Sequence, residues 1–126
     1  MIEALFSQPN YLAAKQLLRG TALERVAIAN NVANVETPNY HRLQLDHSFK
    51  QQLQNAVRTQ QVPALENLPL SLEEDPNAVA SRMDGNSVSL EQEMLQLMQN
   101  SVDHAFETQL LSGNLLRLRL AITGRS

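Results

Sequence analysis

The chain has 126 residues, of which 43% are hydrophobic and 4% aromatic, and its formal net charge is −3. This size and composition fit one domain whose core is built from Leu, Val, Ala and Met, which favours helix-on-helix packing. The acidic balance argues against nucleic acid as the main partner, and the absence of Cys excludes disulfides and thiolate metal sites.

The first predicted helix begins near Pro9, which suits a first helical turn, and ends around Asn34, shortly before Pro38. Apolar residues recur along it at spacings of three and four, as in a coiled-coil seam. They are Tyr11, Ala14, Leu18, Ala22, Val26, Ala29 and Ala33. Gly20 is a weak point in this pattern, because Gly costs about 1 kcal/mol relative to Ala inside a helix.

Two asparagines near the end of this helix, Asn30 and Asn31, have two interpretations. Asn competes for backbone groups and favours helix ends, which accounts well for the neighbouring Asn34. Alternatively, Asn30 or Asn31 donates a hydrogen bond across a helix–helix interface and fixes its register, as a buried polar residue does in coiled coils.

The middle of the chain, residues 41–88, is predicted to be irregular. His41 to Asp46 alternates polar and apolar residues and predicts a short strand or an extended arm. Ser48 to Arg58 predicts a short, marginal helix. Residues 59–87 hold three prolines, an acidic run and Gly85, which is typical of a linker or a loosely ordered excursion that is mobile in the free subunit.

The last predicted helix runs from Ser89 to Ile122, with Ser89 and Gln92 as a capping box. Its first half has a broad apolar face, about 180° wide, and its second half is apolar almost all the way round. The first half carries Leu90, Met94, Leu95, Leu97, Met98, Val102, Ala105 and Phe106, and the second half carries Leu110, Leu111, Leu115, Leu116, Leu118, Leu120 and Ile122. A chain of this size has little else to cover them, so we expect other copies or other proteins to do so.

These elements predict an all-α fold in which the long N- and C-terminal helices pair as an antiparallel, coiled-coil-like hairpin. Residues 1–40 and 89–126 then form one terminal helical domain, and residues 41–88 form the middle segment. The predicted subunit interface consists of Leu18, Ala22, Val26, Ala29, Asn30, Ala33, Met94, Met98, Val102, Leu111, Leu115, Leu118 and Ile122.

The sequence predicts no catalysis, cofactor or metal. His41, His47 and His104 are not spaced three or four apart on a helix, as a metal pair requires. The run DGN at 84–86 begins like a calcium loop, but Val and Leu occupy later ligand positions. Phosphate-binding loops and nucleophile elbows are absent, and no apolar run reaches the ~18 residues of a membrane helix.

Three stretches resemble the bacterial flagellar rod and hook protein family. Ala29 to Tyr40, ANNVANVETPNY, is similar to the family's N-terminal signature, although Asn39 stands where Gly is usual. Asp84 to Met94, DGNSVSLEQEM, resembles the signature of one rod member, and Leu118 to Arg125 is similar to that member's ending. The matching motif positions are Asn31, Asn34, Thr37, Pro38, Tyr40, Asp84, Gly85, Asn86, Glu91 and Glu93.

This resemblance implies a structural subunit of the flagellar basal-body rod, which polymerises within the periplasm through its terminal helices into a hollow helical shaft. It implies export through the flagellar type III apparatus without a cleaved signal peptide. The implied partners are other copies of the chain, the rod proteins FlgC and FliE, and at the base the export gate or the membrane ring.

Two other classes of function stay open from the sequence. A small helical adaptor or type III secretion chaperone would bind an amphipathic partner helix in a groove. A membrane-surface protein would use its amphipathic C-terminus, although that segment has only three basic residues. A chaperone is expected to be a compact small oligomer, whereas a rod subunit is expected to be a partly disordered or aggregating monomer.

Overall fold

A computed structural model describes the backbone of residues 8–80 and 82–123, and the side chains of residues 10–80 and 82–113. Within these ranges the elements are α1 (Gln8–Ala33), β1 (Leu43–Leu45), α2 (Phe49–Arg58), α3 (Val62–Glu66), β2 (Leu72–Glu74) and α4 (Leu90–Thr123). The prediction of a mostly helical chain with a long first and a long last helix is confirmed. A small two-stranded sheet is added to the all-α class.

The stretch 59–87 differs from the sequence prediction, because it contains α3 and β2 where the sequence indicates no regular element. β2 pairs antiparallel with β1, so that Leu43 lies opposite Glu74 and Leu45 opposite Leu72. Hydrophobic periodicity cannot reveal elements of five and three residues, which are shorter than the window it needs. One proline that reads as a breaker, Pro63, lies in the first turn of α3, where proline is well tolerated.

The main hydrophobic core lies between the N-terminal half of α1 and the middle segment. Its buried members are Leu12, Phe49, Leu53, Ala56, Leu65 and Leu68. Gln16 is buried beside them, and its Nε2 donates a hydrogen bond of 2.7 Å to the carbonyl of Leu65. The segment that the sequence predicts to be irregular therefore supplies most of the core.

Gly20 has a packing role that its helical propensity does not reveal. A Cβ atom added there would lie 2.7 Å from Cε1 of Phe49, closer than carbon atoms approach in folded proteins. The Phe49 ring fills the space of the missing side chain, so the glycine allows α1 and α2 to pack closely.

α1 and α4 contact each other along a line of mostly polar side chains, here called the seam. Hydrogen bonds join Thr21 to Glu107, Arg25 to Asn100 and Asn31 to Glu93. Across these three contacts the positions fall along α4 as they rise along α1. The buried residues of α4, among its described side chains, are Glu93, Asn100 and Glu107.

In the second half of α1, the apolar row that the sequence singles out does not contact α4 of the same chain. Its members Ala22, Val26, Ala29 and Ala33 are exposed. Ala27 and Ile28 are buried in that half instead, at 1% and 3% exposure. α1 therefore contacts α4 through a different side of α1 from the one that carries the predicted apolar row.

Candidate functional site

Asn31 lies in the last turn of α1, where it is fully buried and joins three elements. Its Nδ2 donates to the carbonyl of Leu43 at 2.8 Å and to Oε2 of Glu93 at 3.2 Å. Its Oδ1 accepts from the backbone N–H of Leu43 at 2.8 Å and from the hydroxyl of Tyr40 at 3.1 Å. Burial and the nearby charge of Glu93 raise the pKa of Tyr40, so its hydroxyl keeps its proton and can donate this hydrogen bond. Of the two candidate asparagines, Asn31 makes the cross-helix bond, and Asn30 is exposed.

Glu93 carries a carboxylate that is 0% exposed, near the start of α4. Nε of Arg42 donates to its Oε1 at 2.5 Å, and Nη1 of Arg42 donates to Oδ2 of Asp75 at 2.9 Å. The backbone N–H of Arg42 donates to Oγ of Ser87, and its carbonyl accepts from the N–H of Asp75, both at 2.8 Å. One arginine thus pairs with two carboxylates and anchors α4 to β1. Sequence reasoning missed Arg42 and Asp75, because they lie outside both motifs.

Asn86 caps the C-terminal end of α1 from a distant part of the chain. Its side chain is fully buried, and Nδ2 donates to the carbonyls of Asn34, Val35 and Thr37 at 2.9, 3.1 and 2.8 Å. Its Oδ1 accepts from the N–H of Val88 at 2.7 Å. Carbonyls at a helix C-terminus have no partners within the helix. One amide therefore satisfies the backbone that leaves α1 and fixes the chain that enters α4.

Asn39 and Gly85 bring the two motifs into close contact, and both have positive φ, at 60° and 78°. The N–H of Asn39 donates to the carbonyl of Asp84 at 2.8 Å. A Cβ on Gly85 would collide with Oδ1 of Asn39, so a larger residue would have to displace that side chain and would also be strained at this positive φ. Asn is one of the few residues that adopt positive φ readily, so its side chain does not strain this turn.

The remaining motif residues lie around this junction. The hydroxyl of Thr37 donates to Oδ1 of Asn34 at 3.1 Å, and the carbonyl of Thr37 accepts from the N–H of Tyr40 at 3.4 Å across the turn that contains the exposed Pro38. Glu91 is exposed in the first turn of α4, where a negative charge is favourable to the helix dipole. One half of the predicted capping box is seen, since the N–H of Gln92 donates to Oγ of Ser89 at 3.5 Å, a long hydrogen bond. The reciprocal bond from the N–H of Ser89 to the Gln92 side chain is absent among the described contacts.

An exposed apolar row, here called the α4 stripe, follows the side of α4 opposite the seam. Its side chains are 42% to 65% exposed. They are Leu90, Met94, Met98, Val102, Phe106 and Leu110 at intervals of four, with Leu95 beside them. At about 100° per residue, the centre of the stripe and the seam residues lie about 180° apart. The helix therefore turns polar side chains towards its own chain and large apolar ones outwards.

The exposed part of the predicted seam of α1 forms a second apolar surface, here called the α1 face. It consists of Ala22, Val26, Ala29 and Ala33, and Val26 is 49% exposed. Among the other predicted interface residues, Leu18 and Leu111 are half-buried. Leu115, Leu118 and Ile122 lie outside the described side chains. Within the described residues, no helix is long and apolar enough to span a membrane.

Glu107 is an acidic group of the seam, as Glu93 is, and it is 7% exposed. The hydroxyl of Thr21 donates to its Oε2 at 2.6 Å. Burial raises the pKa of Glu107 above that of an ordinary carboxyl, and the charges of Asp103 and Glu24 act in the same direction. The Thr21 hydrogen bond and His104 act against them. The folded chain therefore disfavours the charged form of this group.

We expect Glu107→Gln to raise the midpoint of thermal unfolding at neutral pH. A raised carboxyl pKa means that the folded chain binds a proton more readily than the unfolded chain does. The contribution of Glu107 to stability is therefore present below the unfolded pKa and is lost as pH rises through the folded pKa. The advantage of Gln should disappear as pH falls to about 4, where carboxyls protonate.

Circular dichroism melts at neutral pH and at about pH 4 test this prediction, with the exposed Glu66→Gln as control. A gain independent of pH, or an equal gain at Glu66, would contradict it.

Asp46, His47 and Glu73 form a cluster whose side-chain atoms lie within 4.8 Å of one another. The Glu73 carboxylate raises the pKa of His47, and hydrogen bonds from Gln44 and from the ring and backbone of His47 lower the pKa of Glu73. Hydrogen bonds from Ser48 lower the pKa of Asp46. These hydrogen bonds and charges describe an ion pair at the surface that links β1 to β2. We therefore do not predict a metal site at this cluster.

Comparison of the chain with models of known protein families gives no match, and comparison with curated proteins gives none either. What supports a function for this chain is therefore its two motifs and the geometry described above.

Proposed function

We propose that the chain is a structural subunit of the bacterial flagellar basal-body rod, of the proximal rod protein (FlgB) type. In this proposal its terminal helices pair as an antiparallel, coiled-coil-like hairpin and polymerise within the periplasm into a hollow helical shaft. Its neighbours are further copies of the chain and the rod proteins FlgC and FliE. It reaches the periplasm through the flagellar type III apparatus without a cleaved signal peptide, and it performs no catalysis.

The observation that carries the proposal is the α4 stripe. Seven large apolar side chains lie exposed in one continuous row, because the buried residues of the same helix are polar. Monomeric proteins rarely leave a large contiguous apolar patch in water, and such patches mark interaction sites. A subunit whose terminal helix must pack on its neighbours in a shaft needs such a row.

The contacts of the motif residues support the same function. Asn31, Glu93 and Asn86 are each 0% exposed, so they serve inside the subunit and are not contact residues. Together they tie the end of α1, the turn after it and the start of α4 into one junction. Such a junction fixes the direction in which both long helices leave it, as a subunit of a regular shaft requires.

The alternative function, an adaptor or secretion chaperone, is less well supported. A protein that binds an amphipathic helix presents an apolar groove between elements. Among the described side chains, the exposed apolar residues of α4 form a ridge on one helix. The two functions predict different behaviour in solution, because a chaperone stays a small oligomer whereas a rod subunit forms larger particles as its concentration rises.

Met98→Asp is expected to prevent assembly while leaving the subunit folded. Met98 is 64% exposed, so the change disturbs little in the monomer. Burying a Met side chain contributes about 1.5–3 kcal/mol, and each 1.4 kcal/mol is tenfold in an equilibrium constant. Assembly should therefore need at least about a tenfold higher concentration, as measured by sedimentation velocity over a concentration series. The sequence alone would favour the analogous change Leu115→Asp further along α4, but the Leu115 side chain lies outside the described residues.

The matched control is Gln54→Asp, which adds the same charge on an exposed position of α2. It should assemble like the wild type, and both variants should keep the wild-type circular dichroism spectrum. In a flagellated host that depends on this chain, Met98→Asp should be exported but should leave the cells without rods. Swimming cells that carry Met98→Asp as their only copy would refute the proposed function.

A further inference from the structure

The two exposed apolar surfaces of the chain are complementary in size. The α4 stripe consists of long side chains at intervals of four residues, which form a ridge along the helix. The α1 face consists of three alanines and one valine at intervals of four, three and four, which lets another helix approach closely. A ridge of large side chains fits a row of small ones better than it fits a second ridge.

The charges of the two helices are also complementary. α1 carries three basic side chains and one acidic one, and because Arg25 donates to the chain's own α4, its exposed basic residues outside the seam are Lys15 and Arg19. Residues 90–113 of α4 carry four acidic side chains and no Lys or Arg, and because Glu93 and Glu107 are buried in the seam, the acidic residues outside it are Glu91 and Asp103. Copies that met through like helices would bring like charges together. Contact between α4 of one copy and α1 of another brings opposite charges together.

Within one copy these two surfaces cannot meet. α4 contacts its own α1 through Glu93, Asn100 and Glu107, on the side of the helix opposite the stripe. The α1 face is exposed in the same copy, so it too lacks an occupant from its own chain.

We propose that the α4 stripe of one copy packs on the α1 face of the next copy. This inference rests on the proposed function and specifies which surfaces of the subunit meet. The contact is heterologous, because two different surfaces are joined and each added copy presents a free stripe. A contact of this kind that does not close into a ring produces an open helical array.

Single cysteines test this pairing cleanly, because the chain contains no Cys. Ala29→Cys on the α1 face and Met98→Cys in the α4 stripe are purified separately, and sedimentation velocity measures the association of each before cross-linking, because both positions lie in the proposed contact. Each is treated with a short bismaleimide alone, and then the two are treated as a mixture. The exposed Gln54→Cys on α2 replaces either partner as the matched control. We expect a covalent dimer in the mixture at several times the yield of either variant alone or of the control mixtures.

Three other outcomes each have a definite meaning. A dimer from Met98→Cys alone would show that stripe meets stripe, which overturns this pairing and leaves assembly standing. No cross-link in the mixture, at concentrations where sedimentation shows that the two variants associate, would also overturn the pairing alone. A wild-type chain that stays monomeric at every concentration would overturn the pairing, whereas the swimming test of Met98→Asp decides the proposed function.

Discussion

Arg42→Met is expected to lower the free energy of unfolding by about 3–5 kcal/mol, the usual effect of leaving a buried charge without its partner. Glu93 is 0% exposed and accepts from Nε of Arg42, and the same guanidinium pairs with Asp75. Methionine fills similar space but donates no hydrogen bond, so both carboxylates lose their cation. Since small domains are stable by about 5–15 kcal/mol, this loss is a large share of the total.

Equilibrium unfolding in urea measures this effect, with Arg58→Met as the control. Arg58 is exposed at the end of α2, and replacing it should change stability by no more than about 0.5 kcal/mol. Removing the carboxylate as well, in the double variant Arg42→Met with Glu93→Met, should restore part of the loss. If Arg42→Met were as stable as Arg58→Met, the buried ion pair would not hold α4 to β1.

Asn86→Asp is expected to destabilise the fold by about 3 kcal/mol or more. The substitution keeps the size of the side chain but removes the N–H groups that donate to the carbonyls of Asn34, Val35 and Thr37. Each net hydrogen bond contributes about 0.5–1.5 kcal/mol. The new carboxylate also places a negative charge at the C-terminal end of α1, where the helix dipole is unfavourable to it.

The comparison with Asn86→Ala separates the amide donor from simple packing. Alanine removes the same three donor bonds and also the acceptor of the Val88 N–H, but it adds no charge. Because an unpaired buried charge costs more than one hydrogen bond, Asn86→Asp should be at least as destabilised as Asn86→Ala at neutral pH. Asn77→Asp, at an exposed position, is the matched control and should stay near the wild type in the same urea series. A stable Asn86→Asp variant would show that this side chain does not cap α1.

The bounds of the two long helices follow from local signals in the sequence. The structure has Gln8–Ala33 and Leu90–Thr123, within two residues of the predicted ends. Pro9 near one start, Ser89 at the other and Pro38 after the first helix are signals that act over a single turn. Such signals need no tertiary information, so they can be read directly from the chain.

The partner of each helix face cannot be read in the same way. Periodicity shows that a face is apolar, but it does not show what covers that face. The usual assumption, that the apolar face turns inward, would place Met98 and Phe106 against α1, whereas the structure places Asn100 and Glu107 there. The sequence does contain one sign of this polar contact. Glu93, Asn100 and Glu107 are spaced seven residues apart, as residues that share one side of a helix in a coiled coil are.

The sequence shows the two motifs only as resemblances to a known family, and it does not show that they contact each other. Asn86 bonds to carbonyls about fifty residues earlier in the chain, and Asn31 bonds to Glu93 across an even longer separation. No local pattern links such distant positions. The sequence therefore indicates that these residues belong together without showing that one caps α1 and the other anchors α4.

Oxidation of individual methionines by hydroxyl radicals tests most directly whether the α4 stripe is an assembly surface. Met94 and Met98 lie in the stripe at 52% and 64% exposure, and the fully exposed Met83 lies outside both apolar surfaces and serves as the internal reference. Relative to Met83, both stripe methionines should react readily in the free chain and should be protected several-fold in assembled basal bodies. Equal reactivity of Met94 and Met98 in the free chain and in the assembled particle would contradict the account.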